Sequence, residues 1–178
     1  MAVDVLPSAS ADDRELLVRA LSLSDDSAMN ALWDRHDGMG AITRVATRVG
    51  LVATSPPTDP TQWGDVTMSA DDVVHLYRYI LTGLPADQRD FIVDALGSAP
   101  DTAADGFDQG FALMGPDVDA YAKQGWMWYL PADLYLHSAG IVRSRYVVAI
   151  LSLHSGVPAA TAEATLDAVT TALLTPLP

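Results

Sequence analysis

The sequence contains no cysteine among its 178 residues. Disulfides, thiolate nucleophiles and cysteine-ligated zinc or iron–sulfur clusters are therefore excluded, although the redox compartment stays open. Positive charge is also scarce, because 10 lysine and arginine residues stand against 23 aspartates and glutamates, which gives a formal net charge of −13. Nucleic acids and anionic lipids require a basic footprint, so neither is expected as a general partner.

An apolar run long enough to span a membrane is missing as well. The N-terminus has neither a basic segment nor an extended hydrophobic stretch, so the sequence predicts no signal peptide and no membrane span. The composition, with 49% hydrophobic and 19% charged residues, is typical of a globular protein. A chain of this length can bury a sizeable core as one domain or supply most of a larger one.

Helical patterns dominate residues 1–115. Ser10, Ser24 and Ser69 each precede apolar residues at helical spacing, so each is predicted to cap a helix. Pro85 is predicted to open a further helix, because proline is favoured at the start of the first turn. We therefore expect this part of the chain to be mainly helical.

From residue 116 the pattern predicts strands. Three strands are expected around residues 123–129, 133–137 and 146–153, followed by an amphipathic C-terminal helix. The last strand is a nearly continuous apolar run, which favours a central position with both faces covered. Residues 116–178 are thus predicted to form an antiparallel meander plus one helix, within the same α+β domain as the helical region.

Two short motifs carry the chemistry. Lys123 is the only lysine, and it begins the string Lys-Gln-Gly-Trp that ends at Trp126. Far upstream, Ser24 is followed by two aspartates. In order and strand context these strings resemble the K-T-G and S-D-N elements of class A β-lactamases and penicillin-binding serine hydrolases. The resemblance covers the C-terminal two-thirds of such a domain, and Lys-Gln-Gly-Trp is similar to a variant in actinobacterial members.

This resemblance implies roles for particular residues. Ser24 would relay a proton toward the leaving nitrogen of a substrate. Lys123 would place positive charge near that hydroxyl and near a substrate carboxylate, which suits a compact cation with three hydrogen-bond donors. Four further residues would contact the substrate: Asp26, Gln124, Gly125 and Trp126.

The third element of the family, S-x-x-K, is absent, because the residue three positions before the only lysine is Ala120. The proline-rich loop at residues 55–60 offers no glutamate that could activate a deacylating water. Asp26 also replaces the asparagine of the family, and Gln124 replaces a hydroxyl residue. Since a serine without a nearby base is a weak nucleophile, we expect no acyl-enzyme chemistry and only vestigial roles for Ser24 and Lys123.

Three functions stay open at this level. The first is a truncated, catalytically incomplete domain that recognises a small carboxylate-bearing, β-lactam or peptide ligand. The second is a non-enzymatic module that forms homo-oligomers through an exposed sheet edge or the C-terminal helix. The third is a fragment of a longer active serine hydrolase whose nucleophile segment lies upstream.

No cofactor or metal is predicted. His137 and His154 are expected in neighbouring strands, but a metal site would need a third ligand and no such spacing occurs. The resemblance implies a family that works outside the cytoplasm, whereas the sequence has no export signal, so the location of this chain stays undecided.

Overall fold

The computed structural model of the protein describes residues 1–129 and 131–178, and it confirms an α+β fold in which helices precede an antiparallel meander and a last helix. No helix in this described part is long and apolar enough to cross a membrane. The elements are α1 Ala2–Val5, α2 Ala11–Ser22, α3 Asp26–Arg35, α4 Gly38–Val49, α5 Ala70–Thr82, α6 Ala86–Gly97, β1 Ala120–Tyr129, β2 Asp133–Val142, β3 Tyr146–Ser155 and α7 Ala159–Leu174.

Polar caps begin several of the helices. The Ser10 side chain caps α2 in a reciprocal capping box, the Ser69 side chain caps α5, and Pro85 precedes α6, as predicted. The prediction that Ser24 caps α3 is wrong. Asp25 caps that helix, since its carboxylate accepts from the Ala28 backbone N–H at 3.1 Å. An aspartate is as good a cap as a serine, and it leaves the Ser24 hydroxyl available for other partners.

The three strands form one antiparallel sheet in the order β1-β2-β3, so β2 is the central strand. The prediction that the apolar strand from Tyr146 is central is wrong. Both faces of β3 are covered only in its first half, where Val147 packs on the helical core and Val148 on the α7 side. In its second half Leu151 and Leu153 are 37% and 54% exposed. The apolar run therefore reflects two-sided packing along part of an edge strand.

The sheet separates two hydrophobic cores. On one face, Ile141 of β2 packs into the helical core with residues such as Leu17 and Ile80, and the Tyr77 hydroxyl donates to the Ala139 carbonyl at 2.9 Å. On the other face, Leu136 lies in the core cluster that includes α7. Full burial of one such leucine contributes about 2 kcal/mol, so these contacts hold the central strand β2 against the helices on both faces of the sheet.

Candidate functional site

A cavity of about 670 Å³ lies between the helical region and β1. The polar side chains of Ser24 and Asp26 come from the α2–α3 junction, and Lys123 comes from β1. Apolar residues of α2 and α3 form one part of the remaining wall, among them Leu17, Ala20, Leu21, Met29 and Leu32, and residues 1–2 and 61–64 form another part. The shape and lining are those of a small-molecule site, which is typically apolar with a few converging polar groups.

Ser24 and Lys123, 99 residues apart in the sequence, contact each other in this cavity. The Lys123 Nζ donates to the Ser24 Oγ and also to the Gln124 carbonyl oxygen at 2.7 Å. The Ser24 Oγ donates in turn to the Gln109 Oε1 at 3.1 Å. The hydroxyl proton is thus directed at an amide oxygen, and the ammonium group binds the hydroxyl lone pair.

The Gln109 side chain holds the Ser24 hydroxyl in this orientation. Its side chain is 1% exposed, and its Nε2 donates to the Ser22 carbonyl at 3.1 Å and to the Pro100 carbonyl at 2.6 Å. Because both amide protons are used, the Oε1 must face Ser24. Ser24 itself has a left-handed backbone with φ of 51°, which is uncommon for a residue with a side chain.

Burial dominates the electrostatics of Lys123. Removal from water lowers the pKa of its ammonium group to about 8, although the negative charges of Asp26 and Asp105 oppose that shift. The Nζ also lies 5.7 Å from the ring centroid of Trp126, within reach of a cation–π interaction. Lys123 is therefore mainly protonated at neutral pH and loses its proton more readily than an exposed lysine.

The two aspartates after Ser24 differ in their contacts. Burial raises the pKa of Asp25, but hydrogen bonds from the Ala28 N–H and from Arg19, whose Nη2 lies 2.5 Å away, outweigh it and lower the pKa overall. Asp26 has no hydrogen-bond or ion-pair partner among the residues that the structure describes. Partial loss of water at the cavity rim, with the charges of Asp105 and Asp25, raises the pKa of Asp26.

The three residues after Lys123 also border the cavity. The Gln124 side chain is 2% exposed, and its Nε2 donates to the backbone carbonyls of Gln109 and Phe111 at 3.2 and 2.5 Å. The Gln124 amide thus fixes the segment that contains Gln109 and Phe111 against β1. The Trp126 Nε1 donates to Asp105 at 3.1 Å. The structure thus places all six predicted site residues at one cavity, while their roles stay predictions: Ser24, Asp26, Lys123, Gln124, Gly125 and Trp126.

Sequence reasoning missed Gln109 and Asp105. Both lie in the irregular stretch between α6 and β1, where no periodicity marks a residue as buried or as part of a site. Arg19, which binds Asp25, was also missed, because one arginine on an amphipathic helix gives no distinguishing signal. Only the tertiary structure brings these side chains to the α2–α3 junction.

A metal site is not evident among residues 1–129 and 131–178, which contain no group of three or more histidine, cysteine, aspartate or glutamate residues that could hold an ion. His137 and His154 both contact Ser152. Its backbone N–H donates to the His137 Nδ1 at 3.1 Å, and its Oγ lies 3.0 Å from the His154 Nε2. Hydrogen bonds with Ser152 therefore account for both histidines.

Comparison with known proteins identifies the family. The sequence pattern of the Beta-lactamase2 group, described as the beta-lactamase enzyme family, matches residues 6–176. Since the match extends over nearly the whole chain, the protein belongs to this family.

Sequence relatives occur in mycobacteria. The chain is 36% identical over 169 residues to "Putative lipoprotein LppW" of Mycobacterium tuberculosis (strain ATCC 25618 / H37Rv), and the same identity holds for the protein of that name in Mycobacterium bovis. The match covers 88% of this chain and 52% of the relative. The chain thus spans about half the length of the curated relatives it matches.

Solved structures show the same fold. The TLA-3 extended-spectrum beta-lactamase superposes with a TM-score of 0.72 at 14% identity, over 90% of this chain and 62% of that enzyme. A beta lactamase from Burkholderia vietnamiensis gives a TM-score of 0.69 at 18% identity, over 91% and 61%. The predicted partial β-lactamase-like fold is thereby confirmed.

Proposed function

We propose that this chain is a penicillin-recognising domain that is truncated and catalytically incomplete, and that binds a small carboxylate-bearing β-lactam or peptide ligand without turning it over. The observation that carries the proposal is the contact of the Lys123 Nζ with the Ser24 Oγ in the wall of a 670 Å³ cavity. A buried ammonium group beside a hydroxyl can receive a carboxylate and hydrogen-bond an adjacent amide.

The expected absence of turnover rests on the chemistry of Ser24. A serine becomes an effective nucleophile when a base takes its proton, but here the proton is directed at the Gln109 amide oxygen, which is no base. Lys123, with a pKa of about 8, is mostly protonated at pH 7 and donates to the hydroxyl. The chain has two glutamates, Glu15 and Glu163, and neither lines the cavity.

The proposal is tested by comparing turnover, covalent labelling and reversible binding. We expect no hydrolysis of nitrocefin and no adduct with fluorescent penicillin by intact mass spectrometry. Calorimetric titration with benzylpenicillin should nevertheless show saturable binding. Lys123→Met should abolish that binding, whereas Arg78→Met, which removes an exposed arginine on α5, should leave it unchanged. Covalent labelling of any serine would refute the incompleteness, and absence of binding would refute the ligand.

A second candidate, an interaction module, is favoured by one surface. The outer edge of β3 has no strand partner in the described part of the chain. Four large side chains are also exposed toward the end of the sheet at which β1 and β3 finish: Tyr129, Tyr135, Leu151 and Leu153. Unpaired edges and exposed apolar patches favour association with another chain. Sedimentation showing a compact monomer at high protein concentration would count against this candidate.

The third candidate, a fragment of a longer active hydrolase, is supported by the partial coverage of every relative described above. Its test is the DNA upstream of the codon for Met1. An in-frame segment encoding S-x-x-K would support the longer enzyme, and a nearby in-frame stop codon would support the incomplete domain.

A further inference from the structure

We propose that the cavity selects zwitterionic ligands, in which a carboxylate meets Lys123 while a cationic nitrogen is received by Asp26. The inference rests on the proposed ligand-binding function and adds the charge pattern of the ligand. Asp26 is thereby the specificity-determining residue of the site.

Asp26 accepts no hydrogen bond from another described residue, and it is exposed at the rim of the cavity, where a ligand can reach it. It is the first residue of α3 and lines the cavity. The adjacent Asp25 is saturated, since Arg19 binds one carboxylate oxygen and the Ala28 N–H binds the other. An ionised carboxylate has no proton to donate, so the group that meets Asp26 must carry N–H or O–H donors. A cationic nitrogen satisfies both its hydrogen-bonding capacity and its charge.

The surrounding charges favour the same ligand class. Lys123 is the one cationic side chain among the described residues that line the cavity, and two carboxylates act on it, those of Asp26 and Asp105. The Trp126 indole holds Asp105 on this side of the molecule. Arg19 already neutralises Asp25, so the balance around Lys123 is one positive against two negative charges. Beyond the carboxylate that meets Lys123, this field disfavours a second negative charge on the ligand and favours an added positive charge.

A zwitterion satisfies both ends of the site. Its carboxylate lies near the Lys123 ammonium group and the Ser24 hydroxyl, and its ammonium or amidinium group lies near Asp26. The opposite arrangement, with two carboxylates on the ligand, places one of them beside an acceptor that cannot donate. The class is therefore a small amide or peptide-like molecule with separated amino and carboxyl groups.

Three penicillins test this inference because they share one carboxylate-bearing ring system and differ at a single side-chain carbon. Ampicillin carries an ammonium group there, benzylpenicillin a hydrogen and carbenicillin a carboxylate. Calorimetric titration at pH 6 and low salt should rank them ampicillin, benzylpenicillin, carbenicillin. Each step should change the dissociation constant by about threefold to tenfold, as expected for one partly solvated charge pair.

Asp26→Asn keeps the shape of the side chain and removes its charge, so it should bring the three dissociation constants close together. Asp87→Asn is the matched control, because Asp87 is another exposed aspartate in the first turn of a helix and does not line the cavity; it should preserve the ranking. Equal affinities in the wild-type protein, or an unchanged ranking in Asp26→Asn, would overturn this inference alone. If none of the three penicillins binds, the proposed function falls as well.

Discussion

At the scale of single residues, the site depends on one amide and one unusual backbone conformation. Gln109 aims its oxygen at Ser24 because its nitrogen is held by two carbonyls, and Ser24 keeps a φ of 51°. The sequence predicted that Ser24 and Lys123 belong to one site, because their strings have a recognisable order. It could not predict Gln109, because nothing local distinguishes a buried glutamine in an irregular segment.

Gln109→Ala should destabilise the protein strongly. The substitution leaves the Ser22 and Pro100 carbonyls without their donor and opens a small void, which together cost about 2 to 4 kcal/mol. Urea denaturation measures the change in the free energy of unfolding. Gln88→Ala on α6 is the control and should change it by less than about 0.5 kcal/mol. Equal effects for the two variants would contradict the supporting role of Gln109.

Lys123 should make stability depend on pH in a defined direction. Burial lowers its folded-state pKa to about 8 from 10.5, so between those values the unfolded chain binds a proton that the folded chain does not. Stability therefore rises with pH in this window, by about 1 to 2 kcal/mol between pH 8 and about pH 9.5, below the range of tyrosine ionisation.

Denaturation midpoints of Lys123→Met should lack this rise, whereas Arg78→Met should retain it. The raised pKa of Tyr129, about 12, acts in the opposite direction because the unfolded chain loses its phenolic proton first. The comparison is therefore restricted to pH values below 10. A rise of equal size in Lys123→Met would exclude Lys123 as its origin.

At the scale of secondary-structure elements, local chemistry predicted the caps of α2 and α5, the start of α6 and the existence of three strands. It failed where two neighbours compete or where tertiary packing decides. Asp25 replaced Ser24 as the cap of α3, and β3 proved to be an edge strand although its sequence is apolar. Partial two-sided packing and a central position give the same residue pattern, so no local rule separates them.

Asp72 is the element-scale anchor of the segment between α4 and α5. Its buried carboxylate accepts from the Val52 and Ala53 backbone N–H groups and from the Thr54 hydroxyl at 2.7 to 3.2 Å. The hydrogen bond from Thr54 is the main cause of its lowered pKa, although burial opposes it. Its contribution to stability is therefore present above the unfolded pKa and is lost as the pH falls through the folded pKa.

Asp72→Asn should lower the thermal unfolding midpoint at pH 7, because an amide nitrogen cannot accept the bonds that the second oxygen makes. The difference from wild type should shrink as the pH falls below 4. Asp71→Asn, at the exposed neighbouring position of the same helix turn, is the matched control and should behave like the wild-type protein. A pH-independent difference for Asp72→Asn would show that the carboxylate charge is unimportant.

At the scale of the whole molecule, a net charge of −13 opposes association, while the exposed end of β3 favours it. Charge repulsion between copies is screened by salt, whereas apolar contact is not. Any self-association through this surface should therefore increase with ionic strength. The balance of the two effects decides whether the chain is a monomer under physiological conditions.

Leu153→Asp tests which surface is used. It places a charge at the most exposed leucine of β3, so the sedimentation-measured association constant at 0.5 M salt should fall by about tenfold or more. Leu173→Asp, at the exposed leucine of α7, is the comparison variant and should have little effect if the sheet edge mediates association. The reverse result would assign the contact to the C-terminal helix.

The presence of a single lysine allows the central claim to be measured directly. Protein labelled with ¹⁵N and ¹³C only at lysine has one side-chain spin system, so an NMR titration reports Lys123 without assignment. We predict a midpoint near pH 8 and a shift of this resonance on addition of benzylpenicillin, with no change in protein mass. A midpoint near 10.5 with no response to the ligand would contradict the account, because Lys123 would then be an ordinary solvated lysine outside any ligand site.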